Sequence, residues 1–465
     1  MASTHSARVF RSAVELPVTP EVAFAWHLQP GALRRLVPGF ERVVVEEEPA
    51  LEVGARGVLR LRQGPLSLRW VARITELDRA RHLFVDEQES GPFALWRHTH
   101  RLEAGDAPGT SRLVDEIEWR APLGRLGARF APWIVDRQLA RTFAWRHRVT
   151  RHDLALHARY GLSKQRVAVT GASGFVGSRL VALLETGGHE VLRLVRRAPR
   201  DAREVRWDPR GGVGDLAPLE GLDAVIHLAG EPVAGLRWTD AKRDRIARSR
   251  VEGSRALVAA LARLERPPGV FLAASAIGFY GSRGDEPLDE GAAPGTGFLA
   301  STCRAWELMT SEAQAFARVV QLRLGVVLDP AGGALRVMLP AFRMGLGGPL
   351  GDGRMWFPWV ALDDVLGALV HALATPALAG PVNLVAPGEL RQRDFARALG
   401  AALRRPAILP VPRFALRALL GRAQADEMLL ASARVQPARL LGTGFQFAYP
   451  DLASALAHGL GVNPV

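Results

Sequence analysis

Between Val9 and about Trp119 apolar and polar residues mostly alternate with a period of two. VFRSAVELP, ERVVVEEEP, RGVLRLRQG, LSLRWVARITEL, HLFVDEQES and SRLVDEIEW each read as a strand bounded by Gly, Pro or Asp. PEVAFAWHLQ, after the first of them, has Thr19 as N-cap and Pro20 at the first helical position, which predicts a short helix. Beyond Pro132 the period changes to that of a helix and holds through IVDRQLARTFAWRHRVTRHDLALHARY. A strand, a short helix, an antiparallel sheet and a long closing helix predict an α+β domain over residues 1–160.

The character of the chain changes after the polar connector ARYGLSKQR. RVAVTGASGFVGSRLVALLETGGHEVLRLVRR reads as a β-branched strand, a glycine turn, an apolar-periodic helix and a second strand. Further strands follow at VRWDP, LDAVIHLAGEP and VFLAASA, with the long helical pattern TDAKRDRIARSRVEGSRALVAALARL before the last. Strand and helix in alternation demand a doubly wound, Rossmann-type parallel sheet. This α/β region spans 165–380, and 381–465 is expected to cap it and complete a substrate pocket.

Composition narrows the picture. At 465 residues, 48% hydrophobic and 23% charged, the chain has material for two or three globular cores. The net charge of +13 raises the question of nucleic acid. Its basic residues are almost all arginine, only Lys164 and Lys242 being lysine, and they are scattered among acids. That pattern argues against a nucleic-acid partner. Cys303, the single cysteine, excludes an internal disulfide and fits a reducing compartment. The first residues lack the apolar centre of a secretory signal, and no run of about 18 uncharged apolar residues suggests a span. Cytoplasmic location and no membrane span are the expectations.

The glycine turn carries the first chemistry. Gly171, Gly174 and Gly177, in TGASGFVG with Ser173, Phe175 and Val176, have the spacing of a dinucleotide turn between strand and helix. The first glycine permits the sharp turn, the second lets amides approach a pyrophosphate, and the third lets helix and strand pack closely. The second strand ends in Arg196 and Arg197 where an acid would favour NAD, so NADP is expected, its 2′-phosphate held by guanidinium groups. Leu228, Ala229 and Gly230, at the end of the fourth strand, offer backbone close to a ribose.

Two resemblances follow from these blocks. Residues 8–158 resemble, in layout, the START/polyketide-cyclase-like (helix-grip) superfamily, which implies a possible apolar ligand between sheet and helix. TGASGFVG, HLAGEPV, LRWTDAKRDRIARSRV, SAIGFYG, FLASTCRAWE, RLGVVLDPAGGAL, GLGGPLGDGRMWFPWVALDDV and NLVAPGEL occur in order. They resemble the atypical short-chain dehydrogenases/reductases called epimerase-family proteins over 165 to about 460. That resemblance implies an NADP(H) site and adds Arg250 and Val327 to it; it supplies no substrate.

The usual Ser-Tyr-Lys set is missing. In such proteins Tyr relays a proton and Lys lowers its pKa, with a Glu one turn beyond the Lys. With Glu307 as that Glu, the Tyr position falls on Leu299, the Lys position on Cys303 and the Ser position on Ala276. Tyr160 and Lys164 form Y-x-x-x-K only in the connector. Ser275 and Tyr280 remain as candidate catalytic residues, with Lys242 as a candidate inward-facing lysine. Two readings stay open: an oxidoreductase or epimerase acting on an unknown small carbonyl or hydroxyl compound, and a non-catalytic NADP(H)-binding sensor. Asp289 and Glu290 are expected to be surface acids. His98 and His100, two apart on a strand, are read as part of a solvated polar face with no third ligand nearby. No metal is expected.

Overall fold

The computed structural model describes residues 7–462 apart from 65, 123 and 236, and leaves the side chains of 63 and 124–131 undescribed. The expectation about a leader falls partly on residues 1–6, outside the described residues. The chain divides into two compact units: residues up to Gly161 with Ala182–Gly188, and Leu162–Val181 with His189 onwards. Residues 381–462 lie within the second unit rather than apart from it.

The first unit is a seven-stranded antiparallel sheet, in the order β1-β7-β6-β5-β4-β3-β2. Its strands are β1 (Arg8–Leu16), β2 (Val43–Glu47), β3 (Arg56–Gln63), β4 (Leu66–Asp78), β5 (Leu83–Ser90), β6 (Leu95–Ala104) and β7 (Ser111–Arg120). Helices α1 (Pro20–Leu28) and α2 (Ala32–Arg35) follow β1, and α3 (Gly124–Tyr160) follows β7. This is the helix-grip order. α3 starts nearly three turns earlier than the sequence pattern suggested, with Pro132 inside it. One apolar cluster gathers Leu16, Phe24, Trp26, Phe84 and Leu102; another gathers Trp96, Ile117, Trp119, Leu139 and Phe143.

Between these clusters the sequence reading needs correcting. His98 and His100 do not line a solvated face: they are 4% and 8% exposed. Strand alternation places them on the same face of β6 as Trp96 and Leu102, both buried. Asp86 on β5 and Asp115 on β7 lie directly beside them, so a further ligand is at hand.

The second unit is built on an eight-stranded sheet. Its strands and helices run β8 (Arg166–Thr170), α4 (Phe175–Thr186), β9 (Glu190–Val195), β10 (Glu204–Asp208), β11 (Gly212–Val213), β12 (Ala224–His227), α5 (Asp240–Leu261) and β13 (Val270–Ala276). Then come a short pair strand β14 (Pro287–Leu288), α6 (Phe298–Ser311), β15 (Arg318–Leu324), β16 (Val326–Asp329), α7 (Gly333–Arg343), β17 (Trp359–Ala361), α8 (Leu362–Ala374) and β18 (Gly380–Leu384). The order β11-β10-β9-β8-β12-β13-β15-β18 is parallel except at the β11 edge, so the doubly wound Rossmann-type expectation holds. Sequence order reverses between β8 and β12, which opens a crevice at their carboxyl ends.

The rest of the chain forms α9 (Gln392–Leu403), α10 (Arg413–Leu420), α11 (Arg422–Gln424) running into a π-helical turn Ala425–Leu429, then β19 (Arg434–Val435), α12 (Ala438–Gly442) and α13 (Leu452–Leu460). β19 pairs in parallel with β14, and β16 with β17. Phe395, Leu399 and Leu456 pack with Leu335, Phe342 and Trp359, so this region shares a core with α7 and β17. No helix among the described residues is long and apolar enough to cross a membrane.

Candidate functional site

The glycine turn follows β8 at the crevice. Gly171 is left-handed, with φ +69°, and a Cβ there would lie 2.9 Å from the carbonyl carbon of Leu228. Gly177 sits in the first turn of α4, where a Cβ would come within 2.2 Å of the Gly171 carbonyl oxygen. Helix, strand and the 228–229 segment approach too closely for any side chain at these two positions. Ser173 and Gly174 are exposed, and Phe175 and Val176 half-buried, at the start of α4. Phe175 packs over the turn before α7: a Cβ on Gly332 would meet its ring at 2.2 Å, and one on Gly333 would lie 3.0 Å from the Val327 carbonyl. Val327 is thereby brought to the same neighbourhood.

The facing segment is held by a buried chain of polar groups. Thr170 Oγ1 accepts the backbone N–H groups of Leu228 and Ala229, each at 3.1 Å, and contacts His227 Nδ1 at 2.7 Å. His227 Nε2 reaches Ser254 Oγ on α5 at 3.2 Å. Burial pushes His227 down to about 4, so the ring is neutral at physiological pH. Gly230 lies against Arg250, whose guanidinium would be 3.3 Å from an added Cβ. Arg250 Nη1 donates to the Glu231 carbonyl at 3.0 Å, and its guanidinium lies over Trp306.

The two arginines at the end of β9 differ. Arg197 donates both terminal nitrogens to Glu204, each at 2.6 Å, and this guanidinium holds the Glu204 carboxyl down to about 2. Arg196 is exposed and makes no hydrogen bond among the described residues. Lys242 is not a free amine: its Nζ donates to Glu231 at 2.7 Å.

Ser275 and Tyr280 are brought together, but inside the protein. Ser275 Oγ donates to Glu307 Oε1 at 2.6 Å. Glu307 accepts a fork of two bonds from Arg323, at 2.9 and 2.8 Å, and Arg323 Nη1 donates to the Tyr280 hydroxyl at 2.8 Å. That hydroxyl lies 2.7 Å from Asn383 Oδ1 and 3.0 Å from the Asp289 carbonyl. Tyr280 is 0% exposed and Ser275 2%. Burial raises the phenol above its ordinary value, so it stays protonated. Glu290 belongs to the same assembly, accepting the Asn383 and Arg439 N–H groups; at 5% exposure it is no surface acid, whereas Asp289 is exposed as expected.

Leu299 and Cys303, at the Tyr and Lys positions, face the Ile277–Tyr280 turn, 3.4 and 3.8 Å from where a Gly278 Cβ would lie. Burial pushes the Cys303 thiol up to about 12, so it is neither base nor nucleophile. Instead the C-terminal region supplies a carboxylate. Glu427 Oε2 accepts the Leu299 N–H at 2.8 Å, at the open end of α6. Gln424 accepts the Trp238 N–H at 2.9 Å, clasping the segment between β12 and α5. These contacts border a cleft of about 510 Å³ whose walls include Arg237, Arg243, Gly421 and Glu427. The cleft lies on the carboxyl-end side of the sheet; a hollow of about 600 Å³ near Leu378 and Ala379 lies at the amino end of β18 instead. Arg243 on the cleft wall faces Asp240, its Nη1 3.8 Å from the carboxylate.

Sequence reasoning missed Glu307, Arg323, Asn383 and Glu290 as one network. Arg323 and Gln321 in the apolar strand RVVQLRL were the available signal, since a charge there must find a buried partner. Nothing local marks Gln424 or Glu427.

Residues 167–385 match the NAD dependent epimerase/dehydratase family, 411–459 a domain of unknown function (DUF1731), and 16–148 the polyketide cyclase/dehydrase and lipid transport family. An epimerase family protein of Mycobacterium tuberculosis, MT2273, is 43% identical over 293 residues, 63% of this chain and 96% of the relative. The human epimerase family protein SDR39U1 is 37% identical over 294 residues, 63% of this chain and 98% of that one. Among solved structures, a nucleoside-diphosphate sugar epimerase from Corynebacterium glutamicum superposes with TM-score 0.80 at 32% identity, over 97% of this chain and 90% of its own. Human SDR39U1 (isoform 2) with NADPH gives TM-score 0.58 at 33% identity, over 63% of this chain and 99% of that one. Matched to such relatives over nearly their whole length, around the same glycine turn and Rossmann-type sheet, this chain belongs to the epimerase family of short-chain dehydrogenase/reductase-like proteins, with a polyketide-cyclase-like domain at its N-terminus.

Proposed function

We propose that the chain binds NADP(H) at the Gly171–Gly177 turn and acts as an oxidoreductase or epimerase on a small carbonyl or hydroxyl compound. The observation that carries the cofactor assignment is the closure of Gly171 on Leu228 and Ala229 and of Gly177 on Gly171, which leaves the start of α4 open to a pyrophosphate. The human relative with NADPH supports the same cofactor. Arg196 is the guanidinium free to meet a 2′-phosphate, with Arg197 beside it and partly neutralised by Glu204. Arg250 and Val327 would line the same cofactor site, as the family resemblance implies, and neither presents a reactive group. The bound cofactor would supply reversible redox chemistry at a carbon of the substrate.

The protein's own part is alignment. The cleft bounded by Arg237, Arg243 and Glu427 suits a substrate with an anionic or strongly accepting group, which the two guanidinium groups would receive. Ser275 and Tyr280, bound to Glu307 and Arg323 inside the protein, offer the cleft no acid or base, so in this reading positioning supplies most of the acceleration and acid–base help comes from water or the substrate itself.

A second reading, a non-catalytic NADP(H) sensor, is favoured by one observation: Ala276, Leu299 and Cys303 occupy the usual Ser, Tyr and Lys positions and Tyr280 is sealed. Incubation with NADPH deuterated at C4, each stereoisomer in turn, and a metabolite extract separates the readings. Deuterium in a metabolite supports the enzyme; NADPH binding with no labelled product, and no isomer exchange in a parallel epimerisation assay, supports the sensor.

A further inference from the structure

The first unit holds a buried cluster that the cofactor site does not use. His98 Nδ1 lies 3.4 Å from Asp86 Oδ2 and His100 Nε2 lies 3.2 Å from the same oxygen. The other ring nitrogens, His98 Nε2 and His100 Nδ1, lie 3.0 and 2.9 Å from Asp115 Oδ1. His147 Nε2, from α3, takes the second Asp115 oxygen at 2.7 Å. Two imidazoles, their centroids 3.7 Å apart, are thus held between two carboxylates.

The donor count does not close for neutral rings. Four ring nitrogens face carboxylate oxygens, but two neutral imidazoles carry two N–H groups between them. Either both rings are cations in contact, or two lone pairs point at carboxylate oxygens. A cation between Asp86 and the two rings removes the conflict: the lone pairs on that side become ligands, and both N–H groups donate to Asp115. A metal-bound histidine ordinarily gives its other N–H to a carboxylate, and here one carboxylate serves both.

The spacing also fits. Bonds of about 2.0–2.1 Å in a tetrahedral shell put neighbouring ligand atoms about 3.3 Å apart. The two Asp86 separations of 3.4 and 3.2 Å bracket that edge, and all three ligand atoms lie within 4.8 Å of one another. Phe84 stacks on His100 at 4.0 Å and Phe143 meets the His98 ring edge-on at 5.3 Å, fixing both ring planes. Asp86 is the least buried of the three, its side chain 19% exposed, so the fourth position opens on its side.

We propose that Asp86, His98 and His100 bind one divalent first-row transition ion, with Asp115 as the outer carboxylate that orients both imidazoles. Two imidazoles and one carboxylate with an open position suit Zn²⁺, Co²⁺ or Fe²⁺ rather than Mg²⁺ or Ca²⁺.

The test uses the full chain, purified without metal-affinity resin, treated with EDTA and desalted. Co²⁺ titration should saturate at one ion per chain with visible d–d bands, and Zn²⁺ should displace it. Asp86→Asn and His100→Ala should abolish the bands, while Asp115→Asn should weaken Co²⁺ about 10- to 100-fold, with far-UV circular dichroism unchanged. The wild-type titration decides by itself if a variant misfolds. No saturable Co²⁺ binding by wild type overturns the proposal, as does binding indifferent to Asp86→Asn in a folded protein.

Discussion

Arg323 Nη1 donates to the Tyr280 hydroxyl at 2.8 Å, and this bond determines what the tyrosine can do. With the guanidinium as donor and the Asn383 Oδ1 acceptor at 2.7 Å, the phenol's hydrogen-bonding capacity is spent within the protein. Tyr280→Phe would leave a buried donor and a buried acceptor unpaired. The expected cost is about 1–3 kcal/mol in urea unfolding, with NADPH affinity unchanged in a fluorescence titration. Unchanged stability with abolished turnover would instead make Tyr280 a catalytic residue.

Glu307 and Arg323 form a buried pair, 11% and 4% exposed at the side chain. Removing one charge strands the other, so Glu307→Gln or Arg323→Met should each destabilise by about 3–5 kcal/mol. Glu307→Gln with Arg323→Met leaves no uncompensated charge and should fall well short of the sum of the single losses. A double-mutant cycle by urea denaturation measures this. Additive losses would mean the two side chains do not depend on one another.

The architecture was largely legible in the residues. Period-two runs marked the first sheet, and alternating strand and helix with Gly171, Gly174 and Gly177 marked the Rossmann-type sheet and its switch point. The His98–His100 error was avoidable: Trp96 and Leu102 share their face of β6, and Ser111, Leu113, Ile117 and Trp119 share that of Asp115 on β7. Polar residues on an apolar face indicate a buried polar centre rather than a solvated one. Other features had no local signal. Glu290 is buried because Asn383 and Arg439, about 90 and 150 residues further along, bring backbone N–H groups to it, and Glu427 meets α6 only once the chain has folded back. Such pairings depend on tertiary path, which spacing does not encode.

Gly177→Ala should disrupt the cofactor turn. The added methyl would stand 2.2 Å from the Gly171 carbonyl oxygen, backbone that cannot give way without opening the helix–strand contact. Gly214→Ala is the control, since nothing lies within 4 Å of its Cβ position. NADPH titration should show binding lost or weakened more than tenfold for the first and preserved for the second, about 1.4 kcal/mol corresponding to each factor of ten. Equal binding by both would remove the turn from the site.

Arg196 and Arg197 should separate in a cofactor-selectivity assay. Arg196→Ala should weaken NADPH without weakening NADH, narrowing the preference about tenfold or more, as loss of a charge-assisted phosphate contact would. Arg197→Ala should act mainly on stability at neutral pH, because it exposes Glu204 to burial without its partner. Since Glu204 is depressed to about 2, its contribution is present above its ordinary value and fades as pH falls towards 2. Kd values for both cofactors, paired with urea midpoints at neutral pH, resolve the two roles; a reversed pattern would transfer the phosphate contact to Arg197.

Asp364 gives the second unit a pH dependence of opposite sign. Its side chain is 1% exposed in α8 by residue, accepts the Ala448 and Tyr449 N–H groups, and is pushed up to about 7 by burial, with Asp363 adding to the rise. An unfolded aspartate releases its proton near 3.9. Between about 4 and 7 the folded state therefore holds a proton that the unfolded state has lost, and stability falls as pH rises through that window. Above 7 the penalty is complete. Asparagine cannot ionise, although its Nδ2 cannot accept the N–H that the second carboxyl oxygen takes, so Asp364→Asn should start below wild type at pH 4 and gain on it steadily up to pH 8. Thermal midpoints of both proteins at the two pH values measure this, and a difference between them that does not change from pH 4 to pH 8 would mean the carboxylate is accommodated in its ionised form.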